Sequence, residues 1–287
     1  MRYKNRVIEF TLKDNLSQAY CSGDIHGNFV PFADDIITSC KLKNSIVIVN
    51  GDCGFGFFSK SKMKEYFQKI QTMISPNNVY VIFFRGNHDD PSWFDYQDDE
   101  FAVNYKNVII AEDFTVVKFM HFNILLWGGA VSVDRYSRVK NTSYWENEGV
   151  KPLPVEFDSY DFNLSAVCTH SAPDFCLPCC DKGLEHLFRI DNTLQFDLKE
   201  ERETLSKGAY VLKRNNPNLG VWTYGHYHDS FFNSWEMNEE IFRFAGIRFI
   251  GLDMFREKYS REDFCELHYN RFNRDHKSDL VCIADFS

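Results

Sequence analysis

No stretch of about eighteen apolar residues occurs anywhere in the 287-residue sequence, and the mixed segment after Met1 has no apolar core of the signal-peptide kind. Those two absences exclude a membrane span and lead us to expect a cytoplasmic protein. The chain also lacks an excess of positive charge. With 32 Lys and Arg against 41 Asp and Glu, the net charge is −9. No overall field draws in nucleic acid, so a nuclease of ordinary duplex is disfavoured, although a local basic pocket or bound cations could still attract phosphate. A disulfide framework is missing too: nine cysteines is an odd number, and without an export signal they read as reduced thiols. Cys176, Cys179 and Cys180 crowd together as half of a zinc site would, but no second ligand pair at matching spacing accompanies them. Repeats, linkers and low-complexity stretches are absent as well. The composition, 44% hydrophobic and 25% charged, is that of a globular protein, and one domain over residues 1–287 is expected.

What the sequence does contain is a series of short runs rich in β-branched and aromatic residues. They cover residues 18–22, 45–50, 79–85, 122–127, 164–169 and 221–224. Each stops abruptly at glycine, histidine or aspartate: GDIHG at 23–27, GDCG at 51–54, GNHDD at 86–90, GGA at 128–130, His170, and GHYH at 225–228. The chemistry-bearing residues thus follow the carboxyl ends of predicted strands, the edge where open α/β sheets gather their ligands. Helical spacing over 29–41 and 59–74 gives a β-α-β-α-β opening and therefore parallel strands. Residues 191–213 carry a leucine stripe best explained as core packing. Alternation over 241–252 and 279–286 suggests closing strands. Residues 131–162 are aromatic, charged and without a period, and read as an insertion covering a site.

Five of the nine histidines, His26, His88, His170, His226 and His228, fall at these strand ends with Asp24, Asp52 and Asn87. Imidazole nitrogen with carboxylate and amide oxygen is a ligand set suited to Mn²⁺, Fe or Zn²⁺ rather than Ca²⁺. Taken singly, Asp24 or Asp52 would be a turn residue or helix cap and each histidine an ordinary polar group, as we read His121, His186, His268 and His276. Only the joint pattern points to metal. The adjoining glycines, Gly23, Gly51, Gly86 and Gly225, are expected to let the backbone turn sharply toward a common centre.

The ordered series Asp24-Ile25-His26, Gly51-Asp52, Gly86-Asn87-His88-Asp89, His170 and Gly225-His226-Tyr227-His228 resembles the calcineurin-like metallophosphoesterase superfamily over residues 23–228. The resemblance implies an α/β fold, a four-layer α/β/β/α sandwich of two mixed sheets flanked by helices. It implies two divalent metal ions, Mn²⁺ first and Fe or Zn²⁺ as alternatives. Asp24, His26 and His228 would hold one, Asn87, His170 and His226 the other, and Asp52 would bridge them. Two such cations about 4 Å apart bind phosphoryl oxygens and activate a water for in-line attack. By the same resemblance His88 faces the scissile phosphate as acid or transition-state stabiliser, with Asp89 or Asp90 orienting its ring. GDIHGN resembles the opening of serine/threonine phosphoprotein phosphatases, yet GDCGFGF lacks the arginine those enzymes carry after their second aspartate. A bacterial- or phage-type branch is therefore expected.

The activity implied is hydrolysis of phosphate monoesters on a phosphorylated small molecule, nucleotide or phosphoprotein. The alternatives are a phosphodiesterase acting on nucleotides, cyclic nucleotides or single-stranded nucleic acid, and a non-catalytic metal-binding scaffold. Arg85, Arg135 and Arg138 are candidate phosphate clamps, because guanidinium grips phosphate bidentately. Asn87 could touch substrate as well as metal. Cys53, beside Asp52, is better explained by packing than by nucleophilic chemistry.

Overall fold

The computed structural model describes residues 2–4, 6–95, 105–159, 162–178, 183–229, 231–233, 247–255 and 280–285. Its strands, in chain order, are β1 (Arg2–Lys4), β2 (Val7–Phe10), β3 (Gln18–Ser22), β4 (Ser45–Asn50), β5 (Val79–Phe84), β6 (Val108–Ile110), β7 (Thr115–Phe119), β8 (Phe122–Trp127), β9 (Leu164–Thr169), β10 (Val221–Tyr224), β11 (Phe231–Asn233), β12 (Arg248–Gly251) and β13 (Val281–Asp285). The helices are α1 (Phe29–Thr38), α2 (Lys60–Ile74), α3 (Glu156–Ser159), α4 (Glu185–Ile190) and α5 (Leu194–Asn215). One sheet has five strands in the order β13-β3-β4-β5-β6 and the other has eight in the order β1-β2-β7-β8-β9-β10-β12-β11. Both are mixed. The first is parallel except where β13 pairs with β3, and β8, β9, β10 and β12 form a parallel centre in the second.

The period of two along the strands decides the layering. In β4, Ile46 and Ile48 face the eight-stranded sheet and share a buried cluster with Ile82, Phe84, Ile124, Leu126, Ala166 and Cys168. The alternate residues Val47 and Val49 face outward and pack with Phe29, Phe32, Met63 and Phe67 of α1 and α2. Every residue of β4 and β5 is buried, as expected of parallel strands covered on both faces. The eight-stranded sheet repeats the pattern, with Leu125, Trp127, Val167 and Trp222 set against Leu205, Ala209 and Leu212 of α5. The result is helix, sheet, sheet, helix: the four-layer α/β/β/α sandwich.

Strand ends and helices follow the sequence pattern closely, while the short β2, β6 and β7 carry no motif and lie outside the runs that the pattern marks. Residues 131–162 hold a turn at Arg135–Ser137, an isolated Lys140–Tyr144 bridge and α3 as their regular structure among the described residues. Cys21, Cys40, Cys53, Cys168 and Cys176 are buried as thiols, and Cys21 and Cys168 stand sulfur to sulfur at 3.5 Å across the two sheets. Cys179, Cys180, His268, His276, residues 241–246 and both ends of the 279–286 segment lie outside the described residues. Among those described, no helix is long and apolar enough to cross a membrane.

The contact between α5 and its sheet leaves a checkable mark. A Cβ at Gly208 would lie 2.3 Å from the fully buried indole of Trp127, whose Nε1 donates to the Lys151 carbonyl and so holds the ring in place. Alanine in a helix gains about 1 kcal/mol over glycine, but overpacking a rigid ring costs about 1–3 kcal/mol. Gly208→Ala is therefore expected to lose up to about 2 kcal/mol of stability. Urea midpoints measure this, and a stabilised variant would show that the helix can move off the sheet.

Candidate metal centre

Parallel strands that end in register bring their following residues to one edge. Asn50 lies beside Phe84 at the ends of β4 and β5, and Trp127, Thr169, Tyr224 and Gly251 form one row at the ends of β8, β9, β10 and β12. Asp24, Asp52 and Asn87 leave the five-stranded sheet there, and His170, His226 and His228 leave the other. The Asn50 amide joins the two edges, donating to Thr223 Oγ1 at 2.9 Å and to the Thr169 carbonyl at 3.3 Å.

The backbone at this edge is held in an unusual conformation. His26, Asp52, His226 and His228 all have positive φ, at 43°, 46°, 71° and 52°. For non-glycine residues that conformation costs on the order of 1–3 kcal/mol each and persists only when the surroundings impose it. Here they do. The Asp52 carbonyl accepts from the Ile25 and His26 N–H groups, while Asp52 Oδ1 accepts from His88 N and Asp24 Oδ1 from His226 N. The candidate ligands themselves make the sharp turns expected of the glycines. Of Gly23, Gly51, Gly86 and Gly225, Gly51 alone has positive φ, and Gly86 is required for room, since a Cβ there would sit 2.1 Å from Asp52 Oδ1.

Two groups of ligand atoms result, each within 4.8 Å internally: Asp24, His26, Asp52 and His228, and Asp52, His170 and His226. Asp52 belongs to both. Asn87 joins the second, its Oδ1 3.0 Å from His170 Nε2. His170 Nδ1 donates to the Asn50 carbonyl at 2.6 Å, which turns Nε2 toward Asn87 Oδ1 and, at 3.2 Å, Asp52 Oδ1. A nitrogen facing two oxygens requires a proton or a cation between them. Burial works against charge on His170, but Asp52 and Asp24 outweigh it and raise the ring to about 10. Burial likewise opposes ionisation of Asp52, yet His170, His88 and His26 hold its carboxyl well below the usual range. His228, 3.0 Å from Asp24 Oδ2, is raised by that contact, whereas burial and His170 hold His226 well below. Since His26 and His228 meet nitrogen to nitrogen at 3.1 Å, only one of them can supply a proton there. This concentration of negative field and unshared nitrogen pairs fits divalent cations.

The remaining candidates separate clearly. His88 is 29% exposed on the open side of the centre, and Arg138 Nη2 donates to its Nε2 at 2.7 Å. Arg138 holds the ring; neither Asp89 nor Asp90 does. The Asp89 carboxylate accepts from the N–H groups of Cys53, Gly54, Phe55 and Gly86, so it shapes the turn carrying Asp52, and burial with Asp52 nearby raises it to about 6. Asp90 caps the turn at Pro91–Trp93 through Ser92 N. Burial pushes the Cys53 thiol far up and leaves it inert. Arg85, 1% exposed, spends its guanidinium on Asp113 and the carbonyls of residues 147–149. Arg135 is committed to Asp191, Thr193 and Asp197. Of the three arginines, Arg138 reaches the centre.

Sequence reasoning missed Ser132, Glu148 and Glu201. Ser132 Oγ accepts from both the Asn87 amide and Arg138 Nη1, and its N–H donates to Glu148 Oε1 at 2.7 Å. Glu201 accepts from Val131 N and from the Ser171 hydroxyl, next to His170. A glutamate on the buried stripe of an amphipathic helix was the available signal. Burial raises Glu201 from its ordinary 4.5 to about 7, so the fold binds its proton more tightly than the unfolded chain does. Stability from this group is complete below about pH 4.5 and is lost as pH rises toward 7. Glu201→Gln is expected to remove the effect, its advantage over wild type growing by about 3 kcal/mol across that window. Urea titrations at pH 4.5 and 8 test this, and parallel curves for the two proteins would refute it.

No curated protein matches the chain in sequence. Among solved structures, the Thermus thermophilus protein TT1561 is 10% identical, covering 83% of this chain and 90% of its own, with a TM-score of 0.45. A protein serine/threonine phosphatase from Saccharomyces cerevisiae with similarity to human phosphatase PP5 is 13% identical, covering 86% of this chain and 70% of its own, with a TM-score of 0.34. Residues 19–230 match the family described as calcineurin-like phosphoesterase. That span takes in every residue of the two ligand groups, and the chain belongs to the calcineurin-like phosphoesterase family.

Proposed function

We propose that the protein hydrolyses phosphate monoesters using two divalent cations, Mn²⁺ before Fe or Zn²⁺, one on Asp24, His26 and His228, the other on Asn87, His170 and His226, with Asp52 shared. The observation carrying this reading is that the two ligand groups meet at Asp52, with His88 and Arg138 standing together on their open side. Bound cations supply Lewis-acid polarisation of the phosphoryl group and a water deprotonated near neutral pH.

The chain's own residues do the rest. Arg138 offers two donor groups from within residues 131–162, and phosphoryl oxygens compete for the donor that Nη2 gives His88. Once that donor is taken, His88 Nε2 can take up a proton from solvent and pass it to the departing oxygen. Ser132 links the Asn87 amide to Arg138, so the second ligand group and the phosphate clamp share one anchor. A phosphorylated small molecule, nucleotide or phosphoprotein satisfies these contacts equally.

Titration of chelated protein with Mn²⁺ is expected to saturate at two ions per chain and to restore phosphatase activity, and Asp52→Asn is expected to weaken both sites, since one carboxylate serves both. Saturation at one ion refutes the shared site, and two bound ions with no turnover on any ester indicate a scaffold. Replacement of His88 by Asn should leave both ions bound yet slow alkyl phosphates by about 10²–10⁴, with a much smaller loss on nitrophenyl phosphate. That phenolate departs without a proton. Equal losses on both esters would remove the acid role from His88.

A further inference from the structure

Phe57 stands at the mouth of the centre with 43% of its surface exposed, whereas Phe55 is buried and Phe58 partly so. Its ring lies stacked toward His26 at 6.5 Å between centroids and edge-on to His88 at 6.5 Å. Beyond these, its ring neighbour among the described residues is Phe58. The turn that carries it is fixed from both sides. Asp89 accepts from the N–H groups of Cys53, Gly54 and Phe55, and a Cβ at Gly54, where φ is +102°, would sit 2.4 Å from the Gly27 nitrogen. Phe57 N in turn donates to the Gly54 carbonyl at 3.2 Å. A backbone held this firmly does not present an apolar ring to water by slack.

The open side of the centre is formed by His26, His88 and His228, and among the described residues Phe57 is a large apolar group that adjoins two of them. A phosphoryl group bound between the ligands and Arg138 must direct its ester substituent toward that side, because Asp24, Asp52 and His170 are buried beneath it. Resting on the phosphoesterase reading above, we infer that Phe57 is the specificity-determining platform for the ester group, and that the substrate carries a planar aromatic group close to its phosphate. Offset or edge-to-face contact with an exposed ring favours an aromatic partner over an aliphatic one of equal charge. An aryl ester and a nucleoside phosphate share this chemistry and differ in how far the ring lies from phosphorus.

The test compares 2-phenylethyl phosphate with 2-cyclohexylethyl phosphate, which matches it in charge and size and in the basicity of its leaving alkoxide, so that the ratio of kcat/KM reports the aromatic character of the ring. Wild type is expected to favour the phenylethyl ester by about tenfold, Phe57→Ala to bring the ratio near one, and Phe57→Tyr to keep it. Calorimetry of the corresponding phosphonates on Mn²⁺-loaded protein gives the same comparison without turnover. A phosphoesterase reading that fails therefore leaves the platform testable. Adenosine 5′-monophosphate against ribose 5-phosphate locates the source: a Phe57-dependent gain there points to a base one sugar away, and its absence to a directly attached aryl group. A wild-type ratio near one, or a preference that survives Phe57→Ala in both turnover and binding, overturns the inference.

Discussion

Two buried carboxylates of like charge, Asp24 and Asp52, impose the constraint on which this edge of the molecule depends. Each is 1% exposed, and both contribute to one group of atoms lying within 4.8 Å. At an effective dielectric near 20, two unit charges at that separation repel by about 3 kcal/mol. The surroundings answer with positive or protonatable groups from every side: His170 and His226 from one sheet edge, His26 and His88 from the other, and His228 against Asp24 Oδ2. An imidazole that would otherwise be neutral when buried is instead raised to about 10 at His170. The same field that holds a proton there suits a divalent cation.

A second set of buried acids shapes the loops around the first. Asp89, Glu148 and Glu201 accept backbone N–H bonds at residues 53–55 and 86, at 132, and at 131. Their burial pushes them to about 6, 7 and 7, and each is steadied by the amides it organises. Arg85 performs the complementary task, binding the carbonyls of residues 147–149 and so holding the far end of the loop that contributes Ser132 and Arg138. Strained φ values at four of the candidate ligands are supported by this framework. The orienting groups are drawn from α5, from residues 131–149 and from the strand ends, so local sequence does not by itself account for the geometry of any ligand.

The periodicity of the chain was enough to place β3, β4, β5, β8, β9 and β10, and with them the strand ends that carry Asp24, Asp52, Asn87, His170, His226 and His228. Runs of apolar residues mark these strands in the sequence because both of their faces meet apolar layers. Their common position past the carboxyl ends was legible for the same reason, since parallel strands run to a single edge. The ordered motifs were enough to identify the family.

Tertiary structure alone decided which arginine reaches the centre. Arg85, Arg135 and Arg138 are equivalent as letters in a sequence, and their fates depend on partners 28 to 64, 56 to 62 and 4 to 50 residues away respectively. The same holds for Asp89, which adjoins His88 in the chain yet turns its carboxylate to the amides of residues 53–55, and for Glu201, a charge hidden in an apolar stripe. Periodicity reports which face of an element is buried. The direction of a polar side chain depends on which distant donors and acceptors the packed layers leave unsatisfied, and that exists only once both sheets and α5 have come together.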